Sequence, residues 1–300
     1  MHKRSLWSGA VSGAVLLAAA GLVVPAWAES FDTSGIAVST ELAARVPASI
    51  REAGVLIAGS DNSYAPWEYL AGEDGQTPEG IDVDLMRALT AKLDLDYEQR
   101  TAQFSTILPA LGTNYDVGVS AFSITNERMA IVNFVTYVRS GNIWVVKAGN
   151  PDGFDPADIC GSVLAIQTGT WHEDKVREAS AECEGNGQPA IEILPFGMQT
   201  EAFTRVAAGG ADASISGDAT GLYAVKQSNG TLEPLPPTGL LDSSGTVGIA
   251  VPKADMELTQ LIADTLNEMM QDGTYKAVLD HWGVASMGIE KAEINPVAEY

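Results

Sequence analysis

The stretch YDVGVSAFSITNER, Tyr115 to Arg128, decides how the chain is read. Its opening alternates apolar and other residues at period two, the pattern of a strand entering a core, over Tyr115 to Ser120. The strand runs out into Ser120, Ser123, Thr125, Asn126 and Glu127, and then delivers Arg128. Thr125 suits a helix N-cap, which puts Arg128 in a first helical turn, where a cation opposes the helix dipole. A surface arginine is the ordinary alternative. The better account is that the guanidinium receives an anion, because its planar fork fits a carboxylate through two hydrogen bonds.

Outward from this stretch, short apolar strands alternate with amphipathic helices. VLIAGS (55–60) reads as a strand and GIDVDLMRALTAKLD (80–94) as a helix with Val83, Met86, Leu89 and Leu93 inward. A strand near Tyr97 and a helix over 105–111 lead to the strand at Tyr115. This βαβ alternation predicts parallel strands with covering helices. The pattern repeats: strands at NIWVVK, SVLAIQ, AIEILPF and ADASIS enclose helices at TWHEDKVREASAEC and MQTEAFTRVAAGG. GTLEPLPPTGLLDSSG (230–245) reads as a connection, and TVGIAVPK returns as a strand. A regular helix follows through Leu258, Leu261, Ile262, Thr265, Leu266, Met269 and Met270, with Gly273 as its C-terminal cap. One strand and two helices are too little for a third domain, so they complete the first lobe. The chain then crosses between lobes twice, which makes a hinge and a cleft. Ligands of such sheets sit beyond the carboxyl ends of the strands.

The bulk numbers bound the partners. Of 300 residues, 17 are Lys or Arg and 39 are Asp or Glu. That balance excludes nucleic acid, whose phosphates need a basic footprint. His2, Lys3 and Arg4, an apolar run from Ala14 to Val24 and PAWA predict a signal peptide over 1–28, cleaved after Ala28. Residues 29–45 read as a lead-in. Export makes Cys160 and Cys183 a structural disulfide pair, since their spacing is unlike a redox C-x-x-C. His172 and His281 are too far apart in sequence for a metal motif, and neither G-x-S-x-G nor a phosphate loop follows the leader. No cofactor is predicted.

Candidate ligand residues stand at the strand ends. In SDNSYAPWEY, Asp61 and Tyr64 face the predicted cleft, whereas Trp67 and Tyr69 read as core. Phe104 precedes a helix and reads as core packing or a ligand platform. IQTGTW ends a strand with Thr168 and Thr170 at a helix start, an N-capping choice in its own right, and Asp218 in SGDATG has the same alternative.

In chain order, SYAPWEY, GIDVDLMRAL, ILPAL, YDVGVSAFSITNER, AIQTGT, ADASISGD and QDGTY resemble family 3 bacterial solute-binding proteins over about residues 45–285. These are polar amino-acid receptors of ABC importers, similar to the lysine/arginine/ornithine-, histidine- and glutamine-binding proteins. The resemblance implies an α/β, two-lobed periplasmic binding protein fold of type II, with mostly parallel sheets. Lobe 1 is expected over 46–140 plus 246–300, and lobe 2 over 141–245. Arg128 would grip the ligand α-carboxylate, helped by Ser120, Ala121 and Ser123 and, from the second lobe, by Thr170. Tyr64 and Phe104 would sandwich the side chain, with Asp61 at its distal end and Trp171 narrowing the pocket. The ammonium would meet backbone near Ser120 and an aspartate. Asp212 and Asp218 stand six apart where the family spaces its pair by five, so either Asp218 or Gly217 takes that place. The cysteine pair also resembles a subgroup pattern. The implied protein is a periplasmic monomer, not an enzyme, that binds a free amino acid and docks on an inner-membrane permease. The runner-up is a cyclohexadienyl dehydratase on the same scaffold, with Glu173 as general acid.

Overall fold

The computed structural model describes residues 30–300. The expected signal peptide and its cleavage after Ala28 lie outside them. Helices α1 (Thr40–Ala43) and α2 (Ala48–Ala53) precede β1 (Val55–Ser60). A small antiparallel sheet follows, built of β2 (Ser63–Tyr64), β3 (Glu68–Ala71) and β4 (Thr77–Glu79). Next come α3 (Ile81–Lys92), β5 (Asp96–Thr101), α4 (Phe104–Ile107), β6 (Val117–Ser123), α5 (Asn126–Ile131) and β7 (Val132–Ser140). The second half runs β8 (Asn142–Lys147), β9 (Val163–Gln167), α6 (Trp171–Gly185), β10 (Glu192–Phe196), α7 (Gln199–Ala207), β11 (Ala213–Gly217), α8 (Asp218–Gln227) and β12 (Leu232–Leu235). β13 (Gly245–Pro252), α9 (Met256–Asp272) and α10 (Thr274–His281) follow.

Two five-stranded sheets organise the molecule, in the orders β5-β1-β6-β13-β7 and β10-β9-β11-β8-β12. In the first, β1 is parallel to β5 and β6, while β13 is antiparallel to β6 and β7. In the second, β9 is parallel to β10 and β11, and β8 is antiparallel to β11 and β12. The parallel parts come from the βαβ units. The antiparallel parts come from the chain's passages between sheets, at Gly141 and again between β12 and β13. Both sheets are covered on two faces. Helices α3, α9 and α10 bury Leu85, Leu89, Leu261, Ile262 and Leu266 on one face of the first sheet, while Phe122, Ile124 and Phe134 pack on the other. Each such aliphatic side chain contributes about 1.5–3 kcal/mol.

Three local readings change. The strand of the opening stretch is β6, which starts at Val117 and runs on to Ser123, because β13 pairs with Phe122 and Ser123. The segment 230–245 is not only a connection, since Leu232–Leu235 forms β12. As the edge strand of its sheet, β12 tolerates Pro234, whose missing N–H faces no required partner there. The helix expected over 105–111 splits into α4 and a 3-10 turn at Leu108–Ala110, with Pro109 just inside the turn. The sheets are mixed rather than mostly parallel, because each passage between them adds antiparallel pairings. Two local expectations hold: Gly273 caps α9 at φ 88°, and Cys160 and Cys183 form a disulfide with Cα atoms 5.7 Å apart.

Candidate functional site

The strand ends of both sheets face one another. Asp61 follows β1, Phe104 opens α4 after β5, and Arg128 lies in α5 after β6. From the other sheet, Thr170 and Trp171 follow β9, and Gly217 and Asp218 join β11 to α8. Polar contacts bridge the two sides. The Gln167 amide donates to Asp61 Oδ2 at 2.6 Å, Arg128 Nη2 to the Gly169 carbonyl at 3.0 Å, and the Gly217 N–H to the Tyr64 hydroxyl at 2.9 Å.

Arg128 is built in from several directions. Thr125 is the N-cap, its hydroxyl accepting the Arg128 N–H at 3.2 Å. Nη1 donates to the Ser123 carbonyl at 2.8 Å, and the guanidinium carbon stands 5.5 Å from the Phe104 ring centroid and 5.8 Å from that of Phe122. Burial pushes its pKa down to about 10, with Asp174 and Glu127 acting the other way, so it is a cation at neutral pH. Phe104 itself lies against Phe122, centroids 4.8 Å apart.

Asp61 is buried and its pKa is raised by that burial, against the hydrogen bonds of Ser63 and Gln167. Its N–H donates to Ser120 Oγ at 3.1 Å, and Ser120 Oγ donates on to Glu68 Oε1 at 2.6 Å. Ala121 holds a left-handed φ of 45°, fixed by its N–H on Asp82 Oδ2 at 3.0 Å. Glu68 and Asp82 are both fully buried beneath this turn. Burial and mutual repulsion raise Glu68 well above the ordinary carboxylate range, and burial raises Asp82 to about 6.

On the second side, Thr170 caps α6 by accepting the Glu173 N–H at 3.1 Å, while its hydroxyl donates to the Gln167 carbonyl at 2.8 Å. The Trp171 ring joins the second sheet's core and stands 4.9 Å from the Tyr300 ring. Asp218 turns to the first passage between sheets, accepting from Ser140 Oγ at 3.0 Å and the Gly141 N–H at 3.2 Å. Gly217 is the residue that meets Tyr64. His172 is held neutral, its pKa lowered to about 3 by burial and by Arg128. The Asn142 amide nitrogen donates to the Leu241 and Ser243 carbonyls, so Asn142 Oδ1 accepts and His172 Nε2 carries the proton, 2.8 Å away.

Both Glu173 oxygens are engaged within the second lobe: Oε2 accepts the Gly169 N–H at 2.7 Å and Oε1 accepts from Arg177 at 2.6 Å. Among the described residues no group of three or more His, Cys, Asp or Glu is arranged to hold a metal ion. None of their helices is long and apolar enough to cross a membrane.

Gln167, Glu68, Asp82 and Tyr300 were not singled out from sequence. Gln167 carried a signal, as the last residue of a strand entering IQTGT. Glu68 carried a misleading one, because a glutamate between Trp67 and Tyr69 reads as a solvent-facing position of a strand.

Two α/β lobes joined by two strand crossings, with polar strand ends meeting between them, define a hinged solute receptor. The chain belongs to the bacterial extracellular solute-binding proteins, family 3, whose pattern matches residues 56–285. It is 31% identical over 258 residues to the arginine-binding protein ArgT of Corynebacterium glutamicum, covering 85% of this chain and 83% of that one. An ancestral arginine-binding protein solved with arginine superimposes with a TM-score of 0.69 at 30% identity, covering 77% of this chain and 98% of that one. An ancestral amino acid-binding protein described as a precursor of cyclohexadienyl dehydratase gives 0.65 at 28% identity, covering 78% and 97%.

Proposed function

We propose that this solute-binding protein is the extracytoplasmic receptor of an amino-acid ABC importer, closing its lobes on a cationic amino acid, L-arginine first. In this reading lobe 1 comprises 46–140 and 246–300 and lobe 2 comprises 141–245. The leader is cleaved after Ala28, and the mature chain works in the periplasm as a monomer with an inner-membrane permease.

The observation that carries the reading is that Arg128 and Asp61, after neighbouring strands of one sheet, both contact the loop ending β9 of the other. A cation stands against the packed Phe104 and Phe122 rings at one strand end, and a buried carboxylate at another. Arg128 takes the α-carboxylate by exchanging its Ser123 and Gly169 carbonyl contacts for a bidentate pair. Asp61 takes the distal guanidinium by exchanging Gln167. Tyr64 and Phe104 flank the aliphatic stem, and Ser120, Ala121, Ser123 and Thr170 supply backbone and hydroxyl groups around the ammonium and carboxylate. Asp218 serves the hinge, which leaves Gly217 beside the ligand.

Closure follows from differential contact: a ligand that touches both lobes favours the state in which both reach it. A micromolar dissociation constant corresponds to about −8 kcal/mol. The relatives named for arginine support the ligand class. Titration calorimetry of the mature chain with the proteinogenic amino acids tests it, L-arginine giving the tightest binding and L-glutamate none.

A further inference from the structure

The family match ends at residue 285, and the chain continues through a strap of fifteen further residues, 286–300. Gly288 bridges to Val138 and Ile294 to Val135, both antiparallel, so the strap covers β7, the open edge of the first sheet. The Thr136 N–H donates to the Glu293 carbonyl at 3.0 Å, and the Asn295 N–H to the Phe134 carbonyl at 2.9 Å. Asn295 turns the chain at a positive φ of 46°, and Pro296 follows it. The last residues then return toward the hinge.

There the strap holds both passages between lobes at once. Glu299 Oε2 accepts from Arg139 Nη1 at 2.9 Å, at the end of β7, and from the Thr246 N–H at 3.0 Å, at the start of β13. The Tyr300 hydroxyl donates to the Ser140 carbonyl at 2.9 Å and shares its proton with the Gly245 carbonyl at 3.2 Å. Gly245 is shaped for this ring, since a Cβ there would stand 2.6 Å from Tyr300 Cε2. The same ring meets Trp171 of the second lobe, 4.9 Å between centroids. The ring also walls a small cavity between the lobes, shared with Tyr64, Ser123, His172 and Gly217.

We propose that the C-terminal strap sets the closure equilibrium of this receptor, with Tyr300 as a positioning residue that fastens both hinge strands and props the second lobe through Trp171. Any rotation at Ser140–Gly141 and Ser244–Gly245 moves Trp171 relative to a ring fixed on the hinge, so the Tyr300–Trp171 contact belongs to the closed arrangement. Where the competent state is only partly populated, the apparent dissociation constant rises in inverse proportion to its population. The effect on affinity rests on the amino-acid receptor reading. The effect on lobe geometry does not.

The test compares the wild-type mature chain with Tyr300→Phe, Tyr300→Ala and a deletion of residues 296–300. Small-angle scattering without added ligand reads lobe opening directly, and stopped-flow with L-arginine reads association and dissociation. Tyr300→Ala and the deletion are expected to raise the radius of gyration and to dissociate L-arginine about tenfold faster with association little changed. Tyr300→Phe keeps the ring on Trp171 and loses the carbonyl bonds, so it falls between. Should Tyr300→Ala fail to fold by circular dichroism, Tyr300→Phe with Glu299→Gln carries the same prediction, a larger radius and faster dissociation. Folded variants with wild-type radius and wild-type dissociation overturn the proposal. No L-arginine binding in wild type, together with expanded variants, overturns the ligand reading and leaves the strap supported.

Discussion

Gln167 Nε2 stands 2.6 Å from Asp61 Oδ2, a hydrogen bond that joins the end of β9 in one sheet to the turn after β1 in the other. Asp61 is buried there with its pKa raised by desolvation, so it is a carboxylate in want of a cation. A guanidinium in place of the neutral amide adds ionic attraction and a second parallel donor to such a bond. Asp61→Asn is therefore expected to weaken L-arginine and L-lysine binding at least about tenfold while L-glutamine changes far less. Calorimetry against the three ligands checks this, and an equal loss for all of them would remove Asp61 from the side-chain end of the site.

Arg128 reads the part common to all amino acids. Arg128→Ala is expected to abolish detectable binding of every free amino acid, and Arg128→Lys to recover little, because an ammonium lacks the planar fork. Near-wild-type affinity in either variant, measured by calorimetry, contradicts the carboxylate assignment.

Gly169 controls how closely the lobes meet. It holds φ +80°, and a Cβ there would stand 2.7 Å from Ser105 Cβ on the opposite lobe. Gly169→Ala adds backbone strain and a clash that exists only in the closed arrangement. The expected outcome is a loss of affinity of at least about tenfold, read by calorimetry, with a small change in melting temperature.

The buried pair Glu68 and Asp82 gives a pH signature. Their pKa values are raised, Asp82 to about 6 and Glu68 well above its ordinary value, so the folded chain holds protons that the unfolded chain releases near pH 4. Stability from these groups is full below the unfolded values and falls as pH rises toward the folded ones. Glu68→Gln keeps an acceptor for Ser120 Oγ and gives Asp82 a donor without titrating. Its melting temperature, relative to wild type, is expected to climb between pH 5 and pH 8. A difference that stays constant across that range would show that the pair holds no extra proton.

The Cys160–Cys183 bridge closes a sequence separation of 23 residues. Replacing both by serine is expected to cost roughly 3 kcal/mol through the freer unfolded chain. The bridge lies in the second lobe away from Asp61 and Arg128, so affinity in the folded variant should stay within about twofold by calorimetry.

The fold was largely legible because β1, β9 and β11 are short apolar runs, with α6 and α8 starting at the carboxyl ends of β9 and β11. Gly273 at the end of α9 and Thr125 before α5 announced their caps through side-chain chemistry that acts locally. Strand β12 was missed because Leu232–Leu235 pairs only with β8, some ninety residues earlier, and local composition there speaks for a loop. Arg128 stood out because a cation in a first helical turn is locally unfavourable. Glu68 did not, since its partners Ser120 and Asp82 come from elements that local sequence does not bring together. Tyr300 was invisible for the same reason: its partners are Trp171, Ser140 and Gly245.

The central claim is that Arg128 and Asp61 together select a cationic amino acid between closing lobes. Calorimetric titration of the mature chain with L-arginine, run beside Arg128→Ala, tests it most directly. The account predicts one site per chain with a micromolar or tighter dissociation constant in the wild type and no measurable heat of binding in the variant. Absence of binding to any cationic amino acid in the wild type, or retained binding in the variant, would contradict it.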